Sequence, residues 1–232
     1  MTSREPNGVL DGSGPLLALP YQRLLLQNIL TADALVILAR GLGLLTIVSH
    51  LLYHYDNPEI GTAEKDNVYK NFVVMIGAET TEETLVGQKM AEFVTTHGGS
   101  GTGLQVVNTD KVGVDQRLSP PFYADNRMKL YASGGIFSIT SRILVVDLLT
   151  FPNLAESITG FVVMHAEKVV ATSVEAFILR IFRQKNRNGF IKAFSDIPEP
   201  FTTGFSPLAN MLKNLFLRTP LLWPRFYTRF VI

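Results

Sequence analysis

Short, mostly apolar segments of five to seven residues recur along the chain and alternate with longer segments of helical spacing. Six of them predict β-strands, at residues 34–39, 72–76, 104–108, 135–140, 158–164 and 190–194. A strand that is apolar at every position is typical of a parallel sheet covered on both faces. Strands alternating with helices predict an α/β fold, with an open, mostly parallel sheet and helices on both faces.

The helices are predicted from apolar side chains at every third or fourth position. The clearest helix covers residues 173–185, and others are predicted at residues 16–30, 44–55, 81–96 and 208–217. Residues 111–129 are predicted to be irregular. Residues 142–150 fit a strand and a buried helix equally well, because their β-branched side chains favour a strand while their length does not decide.

Composition bounds the class of protein. A chain of 232 residues is long enough for one sizeable domain, and the absence of Cys excludes disulfides and Cys-based zinc sites. No apolar run reaches the roughly 18 residues of a membrane helix, so no membrane partner is expected. Residues 167–232 carry ten Lys and Arg against four Asp and Glu. This basic third indicates either a polyanionic partner or a solvated face.

A Gly-x-Gly turn follows the first predicted strand and opens the next helix. P-loop nucleotide sites share this arrangement with the pattern GxxxxGK[ST], whose Lys neutralises phosphate and whose hydroxyl binds Mg²⁺. Gly41 and Gly43 are present here, but Leu44 and Leu45 replace the two functional residues. The turn can still bind phosphate through backbone N–H groups. The interpretation we favour is that its glycines only permit a tight turn and close helix packing.

The predicted strand at residues 158–164 ends where a helicase carries Asp-Glu-Ala-His. The Asp of that motif holds Mg²⁺. Met164 stands in its place, followed by His165, Ala166 and Glu167. The sequence therefore predicts a degenerate nucleotide site formed by Gly41, Gly43, Leu44, Leu45 and Met164.

Other polar residues fit metal sites or acid–base chemistry less well. His165 and Glu167 form a weak metal pair, since no third ligand accompanies them. His50 and His54 are four residues apart on a predicted helix, a metal-binding spacing, but they also lack a third ligand. Asp147, inside an apolar run, fits a turn cap or a partner of Arg142 better than a general base. We predict no metal site and no catalytic residue in this chain.

A more specific pattern runs through residues 39–43, 140–149, 175–186, 189–194 and 222–226. Together these stretches resemble the amino-terminal helicase-like domain of the XPF family of structure-specific DNA repair endonucleases, which is a first RecA-like lobe. The resemblance covers roughly residues 16–232. Active helicases carry Thr-Pro-Gly-Arg where this chain has Thr140, Ser141 and Arg142, and that alignment predicts a helix at residues 143–150.

The resemblance implies a cellular role. The family's helicase-like domain has lost ATPase chemistry, in agreement with Leu44, Leu45 and Met164. Nuclear localisation, nucleotide excision repair and interstrand crosslink repair are implied, with branched or bubble DNA, the family's non-catalytic heterodimer partner and repair scaffold proteins as partners. The family's nuclease motif is absent here, so no cofactor is expected in this segment, whereas the family's nuclease domain is expected to use Mg²⁺.

The resemblance also predicts how the chain is divided. Residues 1–15 are expected to be a disordered tail, residues 16–205 a degenerate superfamily 2 helicase-like RecA domain, and residues 206–232 the start of a helical connector to further domains. The chain is expected to be a fragment. Its aromatic and basic run at residues 215–230 fits either stacking on unpaired bases or packing against those domains.

Two groups of residues are predicted to bind DNA. The first is a set of five cations within thirteen residues, namely Arg180, Arg183, Lys185, Arg187 and Lys192. If the helix buries its apolar stripe, these cations project outward and can neutralise phosphates. The second group is Thr140, Ser141 and Arg142, where helicases touch a DNA backbone. A solvated helix end explains the cations equally well from composition, and the resemblance favours DNA.

Three functions follow from this sequence. The favoured one is a non-catalytic DNA-binding and scaffolding domain of an XPF-type endonuclease. The second is an active ATP-dependent DNA helicase domain with an unusual nucleotide site. The third is a protein-bridging domain without DNA contact.

Overall fold

A computed structural model describes residues 19–57, 71–97, 101–108, 120–202 and 207–224. Seven strands form a single sheet in which every pairing is parallel, in the order β3-β4-β2-β5-β6-β1-β7. The strands are β1 (Ala34–Leu38), β2 (Phe72–Ile76), β3 (Leu104–Val107), β4 (Gly135–Ile139), β5 (Gly160–Val163), β6 (Phe190–Ser195) and β7 (Thr219–Trp223). The predicted α/β class with an open parallel sheet is confirmed.

Helices cover both faces of this sheet, as predicted. They are α1 (Pro20–Thr31), α2 (Leu44–Asp56), α3 (Thr80–His97), α4 (Pro120–Ala132), α5 (Ser141–Thr150), α6 (Leu154–Ser157), α7 (Val174–Lys185) and α8 (Pro207–Asn214), with 3₁₀ turns at Ala166–Lys168 and Glu199–Phe201. Helices α1, α2 and α3 share one apolar cluster with alternate strand residues, and helices α5 to α8 share the other. The burial of the central strands β1, β2, β4 and β5 along their whole length follows from this double cover.

The C-terminal segment contributes a strand as well as a helix. After α8, β7 pairs with β1, so that Ala34 aligns with Thr219 and Leu38 with Trp223. Pro220 is tolerated in β7 because this strand lies at the edge of the sheet, where it pairs on one side only. The sheet therefore extends past residue 205, and the predicted extension is only partly helical. Residues 1–15 and residues 225–232 lie outside the described residues.

Two local predictions are settled by the structure. Residues 143–150 lie in α5, as the helicase alignment predicts, because Leu144 and Leu148 face the core on one side of the helix. The prediction of an irregular segment at residues 111–129 is wrong from Pro120 onward, where α4 begins. A Pro in the first turn of a helix starts it without loss, since the first N–H groups have no partner within the helix.

Asp147 has a structural role that the sequence analysis assigned to the wrong partner. Its carboxylate accepts hydrogen bonds from Arg127 Nε and from the Tyr131 hydroxyl, each at 2.9 Å. Arg127 and Tyr131 lie on α4, so this buried ion pair fixes α4 against α5. Arg142 is exposed instead.

Candidate functional site

The glycine turn after β1 has a left-handed backbone. Gly41 has φ +84° and Gly43 has φ +76°, a region in which other residues are strained. Gly43 is also the N-cap of α2, and a Cβ there would lie 2.8 Å from Gln22 Nε2 of α1. The turn therefore favours glycine at both positions, and the close approach of α1 adds a second reason at Gly43.

Helix α1 lies against this turn. The Tyr21 hydroxyl donates a hydrogen bond to the Leu42 carbonyl at 2.5 Å, so that carbonyl points into the protein. Leu44 and Leu45 are half-buried and belong to the same apolar cluster as the buried Met164. The carboxyl ends of β1 and β5 share one edge of the sheet with β6 between them. Leu44, Leu45 and Met164 of the predicted nucleotide site thus share one apolar cluster at this end of the sheet.

An ion-paired group that we call the imidazolium clamp lies at the carboxyl end of β5. It consists of His165, Glu82, Glu167 and Ser195. His165 Nε2 is 3.0 Å from Glu82 Oε2, and its Nδ1 is 3.1 Å from Glu167 Oε1. The Ser195 hydroxyl donates to Glu167 Oε2 at 2.6 Å. The clamp therefore connects the first turn of α3 with the ends of β5 and β6.

The charges of the imidazolium clamp stabilise one another. Hydrogen bonds to Glu167 and Glu82 raise the pKa of His165 to about 10, although burial acts in the opposite direction. Burial is the largest single influence on Glu82 and Glu167 and raises the pKa of each. Their hydrogen bonds and the charge of His165 together outweigh it, so the pKa of each carboxyl falls below its ordinary value. At neutral pH the clamp therefore holds a positive imidazolium between two carboxylates.

Two unusual backbone conformations make the clamp possible. His165 has φ 51°, a left-handed conformation that costs of order 1 kcal/mol or more in a residue other than glycine. Gly77, after β2, has φ +79°, and a Cβ there would lie 2.6 Å from the Met164 carbonyl oxygen. Only glycine lets the turn before α3 come this close to β5. Glu82, 83 residues from His165 in sequence, reaches it for this reason.

The residues present do not fit magnesium and a nucleoside triphosphate, the group that an active helicase holds at this edge. Leu44 and Leu45 supply neither a cation nor a metal ligand, and the Glu167 carboxylate is already engaged by His165 and Ser195. Within the described residues, no group of three or more His, Cys, Asp or Glu side chains is placed to hold a metal ion. No helix in the described part of the chain is long and apolar enough to cross a membrane.

Two of the five predicted DNA-binding cations, Lys192 and Arg183, make their contacts within the protein. Lys192, in the middle of β6, is 2% exposed, and its Nζ donates to the carbonyls of Ile29 and Ala32 at the end of α1. Burial lowers the pKa of Lys192, although Asp33 opposes the shift. The prediction that Lys192 faces DNA is wrong, because side chains alternate along a strand and position 192 faces α1.

The guanidinium of Arg183 is bonded to groups of this same domain. It forms a 2.8 Å ion pair with Asp33 Oδ2 and donates to the Gly189 and Arg187 carbonyls. It therefore ties the turn between α7 and β6 to the loop before β1. The expected outward projection of Arg183 is not observed.

The other three cations form the cationic turn, which we define as Arg180, Lys185 and Arg187, and all three are exposed. The backbone beneath them is fixed by Asn186. Its side-chain oxygen accepts from Asn188 N and Gly189 N, at 3.1 and 2.8 Å, and its Nδ2 donates to the Ile158 carbonyl. Exposed charges on a braced turn are suited to contact a phosphate backbone.

Thr140, Ser141 and Arg142 lie at the carboxyl end of β4. Thr140 and Arg142 are exposed, whereas the Ser141 hydroxyl donates to Glu175 Oε1 at 2.7 Å. Helix α7 has 12 residues and runs from this edge to the start of β6, a distance of about 18 Å. The structure therefore places the two predicted DNA-binding groups toward opposite edges of the sheet.

Sequence comparisons identify relatives among DNA repair proteins. The chain is 39% identical over 219 residues to the DNA repair protein RAD1 of Saccharomyces cerevisiae, which covers 90% of this chain and 19% of that protein. It is 37% identical to rad16 of Schizosaccharomyces pombe over 91% of this chain, and 35% identical to the DNA repair endonuclease XPF of Cricetulus griseus over 95%, in each case 21% of the relative. The chain belongs to the XPF family. It spans about a fifth of the length of these XPF-family relatives. No protein-family model matches it.

Solved structures confirm the fold of this XPF-family segment. The helicase domain of Pyrococcus furiosus Hef superposes with a TM-score of 0.64 over 87% of this chain and 37% of that one, at 15% identity. Mss116p, solved with single-stranded RNA and AMP-PNP, superposes with a TM-score of 0.58 over 88% of this chain and 39% of that one, also at 15% identity. The predicted RecA-like, helicase-like fold is confirmed.

Sequence reasoning missed part of the imidazolium clamp. It named His165 and Glu167 only as a weak metal pair, and it did not identify Glu82, Ser195 or Gly77. One feature of the sequence points to them: Gly77, His165 and Ser195 each come directly after a predicted strand. Parallel strands place such residues at one edge, which is a general rule for open α/β sheets.

Proposed function

We propose that this chain is a non-catalytic helicase-like domain that binds DNA and serves as a scaffold within an XPF-type structure-specific endonuclease. The proposal includes action in nucleotide excision repair and crosslink repair in the nucleus, on branched or bubble DNA. The parent protein's heterodimer partner, its repair scaffold proteins and an Mg²⁺-dependent nuclease domain belong to the same proposal. The observation that carries the proposal is the imidazolium clamp at the edge where an ATPase holds its metal and phosphates.

The clamp argues against ATP hydrolysis on chemical grounds. Phosphoryl transfer depends almost entirely on positioning and on neutralising charge around the phosphates. The His165 imidazolium has no N–H left to donate to a phosphate, since its two ring nitrogens already bond Glu82 and Glu167. Leu44 and Leu45 leave the glycine turn without the charge that the reaction requires.

DNA binding is supported by the cationic turn. Arg180, Lys185 and Arg187 are exposed, and the turn that carries two of them is held by Asn186 and Arg183. Because such cations contact phosphates and not bases, the binding they give is independent of sequence and weakens with salt. This behaviour suits a module that positions a DNA structure for a nuclease.

Calorimetric titration with Mg-ATP and a phosphate-release assay with fork DNA test the loss of ATPase function. We expect no saturable heat and no turnover above a buffer blank. Saturable binding with DNA-stimulated turnover would favour the helicase alternative and overturn the proposal.

The DNA contact is tested by the double variant Lys185→Glu and Arg187→Glu. We expect fork-DNA affinity to fall about tenfold or more at low salt, with a shallower dependence of log Kd on log salt, because fewer counterions are released. The matched control is Lys129→Glu with Lys213→Glu, the same charge change at exposed positions on α4 and α8. If both double variants leave affinity and salt slope unchanged, the domain makes no DNA contact through this turn, and the protein-bridging alternative is favoured.

A further inference from the structure

The outer surface of α5 and α7 exposes large apolar side chains. Val146 and Leu149 of α5 are 56% and 60% exposed, and Val174 and Phe177 of α7 are 41% and 42% exposed. Each pair is three residues apart, so its members are neighbours on their helix. We call the exposed sides of these two helices the α5/α7 face.

The two helices lie side by side on one face of the sheet. The Ser141 hydroxyl of α5 donates to Glu175 Oε1 of α7 at 2.7 Å, which joins their first turns. Leu144 and Leu148 of α5 and Phe182 of α7 enter the same buried apolar cluster. Because both helices bury one side against this cluster, their opposite sides face outward together.

The charge on the α5/α7 face is of one sign. Arg142, Arg180 and Lys185 are exposed on these helices. The only acids in the two helices are Asp147, which is buried and paired with Arg127, and Glu175, which accepts from Ser141. The face therefore offers apolar and cationic side chains without an exposed carboxylate from either helix.

We propose that the α5/α7 face binds an amphipathic segment of a separate repair protein, one that presents large apolar side chains flanked by Asp and Glu. The proposal rests on the scaffolding part of the proposed function and adds a surface and a partner chemistry to it. An amphipathic helix binds an apolar surface of this kind through its own apolar side chains, which recur every three to four residues. The flanking carboxylates complement Arg142 and Arg180.

Neither DNA nor the chain's own C-terminal end matches this face. A phosphate backbone satisfies exposed cations but offers no apolar surface to cover Val146, Leu149 and Phe177. Residues 225–232 are apolar, but they carry Arg225 and Arg229 and no acid, so their charge is the same as that of the face. A segment rich in Asp and Glu from another protein satisfies both features.

The test uses a fluorescent 16-residue helical peptide with Leu and Phe at positions i, i+3, i+4 and i+7, flanked by Glu. A peptide with the same apolar residues flanked by Lys is the control. By fluorescence anisotropy, we expect the Glu peptide to bind this protein at least tenfold more tightly than the Lys peptide. Equal affinity for the two peptides, or binding of neither, would overturn the proposal.

Two variants locate the binding surface. Leu149→Ser with Phe177→Ser is expected to weaken the Glu peptide at least tenfold, whereas Leu85→Ser with Leu222→Ser, at exposed positions on α3 and β7, is expected to leave it unchanged. Arg142→Glu with Arg180→Glu is expected to reverse the preference toward the Lys peptide. Thermal unfolding midpoints within a few degrees of the wild type establish that each variant is folded. Retention of Glu-peptide affinity by a folded Leu149→Ser and Phe177→Ser variant rejects this face.

The same variants separate this inference from the proposed DNA contact. Leu149→Ser with Phe177→Ser is expected to keep its fork-DNA affinity, and Arg187→Glu, at an exposed position outside both helices, is expected to lower fork-DNA affinity and to keep its peptide affinity. Loss of DNA binding alone therefore leaves the face intact, and loss of peptide binding alone leaves the cationic turn intact. If sedimentation shows that the chain self-associates through Leu149 and Phe177, a second copy occupies the face and the proposal of a separate partner is overturned.

Discussion

The imidazolium clamp and the cationic turn lie near opposite ends of the strands and differ in whether their charges are paired within the protein. At the carboxyl edge, His165 is bonded on both ring nitrogens, to Glu82 and to Glu167, so its charge is used inside the protein. Near the amino edge, Lys185 and Arg187 are exposed on a turn whose backbone is bonded internally through Asn186. The charges of the imidazolium clamp are paired within the protein, whereas the cationic turn keeps exposed charge on a fixed backbone.

This difference teaches where to look for function in a RecA-like domain that has lost its nucleotide chemistry. At the end of the sheet that is active in a motor, the charges of the imidazolium clamp are satisfied within this domain. Charge that remains exposed on a braced backbone, as at the cationic turn, is available to a partner. We therefore expect the imidazolium clamp to act in stability and the cationic turn to act in binding.

The largest effect is expected from Glu167→Leu. This change removes the acceptor of the Ser195 hydroxyl and one carboxylate of His165, and breaking a buried ion pair by removing one partner typically costs about 3 kcal/mol or more. Urea unfolding at pH 7 measures it. The control Glu79→Ala, at a side chain that is 61% exposed, is expected to cost under about 0.5 kcal/mol. A loss of fork-DNA affinity in folded Glu167→Leu protein would show that the imidazolium clamp also acts in DNA binding.

His165→Gln is expected to cost about 2 kcal/mol at pH 6, because charged hydrogen bonds to two carboxylates are lost. The pKa of His165 is raised from 6.5 to about 10 in the folded protein, so its stabilising contribution is complete below pH 6.5 and is lost as the pH rises through 10. The difference in unfolding free energy between wild type and variant should therefore shrink from pH 6 to pH 10. A difference that stays constant over this range would contradict the imidazolium assignment.

Lys192→Met is expected to cost about 1 kcal/mol of stability. The carbonyls of Ile29 and Ala32 lose a donor, and this loss is partly offset because a buried ammonium is removed. Fork-DNA affinity and its salt slope should stay at wild-type values, in contrast to those of Lys185→Glu with Arg187→Glu. A salt slope reduced by the Met substitution would mean that Lys192 reaches DNA after all.

Most of the fold could be predicted from the sequence because buried parallel strands leave a local record. All six predicted strands are present, since each is a short and mostly apolar run, although β3, β4 and β6 also contain Gln105, Ser138 and Lys192. β7 was missed because an edge strand with Pro220 does not have that pattern. Helix α4 lies partly in the segment predicted to be irregular, because its sequence begins with Pro120 and Pro121, which a helix accepts in its first turn.

The candidate sites were predictable only in part. The loss of the P-loop side chains at Leu44 and Leu45 can be read directly, because the motif is local. The clamp cannot, because Glu82, His165 and Ser195 meet only through the order of the strands. The five cations looked equivalent in sequence, but Lys192 is on a strand and Arg183 faces Asp33, and only burial separates them from Lys185 and Arg187.

The smallest effect is expected from restoring the P-loop side chains with Leu44→Lys and Leu45→Thr. The two changes supply the phosphate-neutralising cation and the Mg²⁺-binding hydroxyl that the motif requires. We nevertheless expect no ATP turnover, because Met164 supplies no metal ligand and the His165 imidazolium remains between Glu82 and Glu167.

A phosphate-release assay with Mg-ATP and fork DNA measures this outcome, with thermal unfolding to establish that the variant is folded. Adding Met164→Asp to the pair separates the two remaining barriers: if turnover is still absent, the clamp itself excludes the metal and the phosphates. Turnover in the variant that carries only Leu44→Lys and Leu45→Thr would mean that the carboxyl end of the sheet is still organised for catalysis. The contrast between the imidazolium clamp and the cationic turn would then fail.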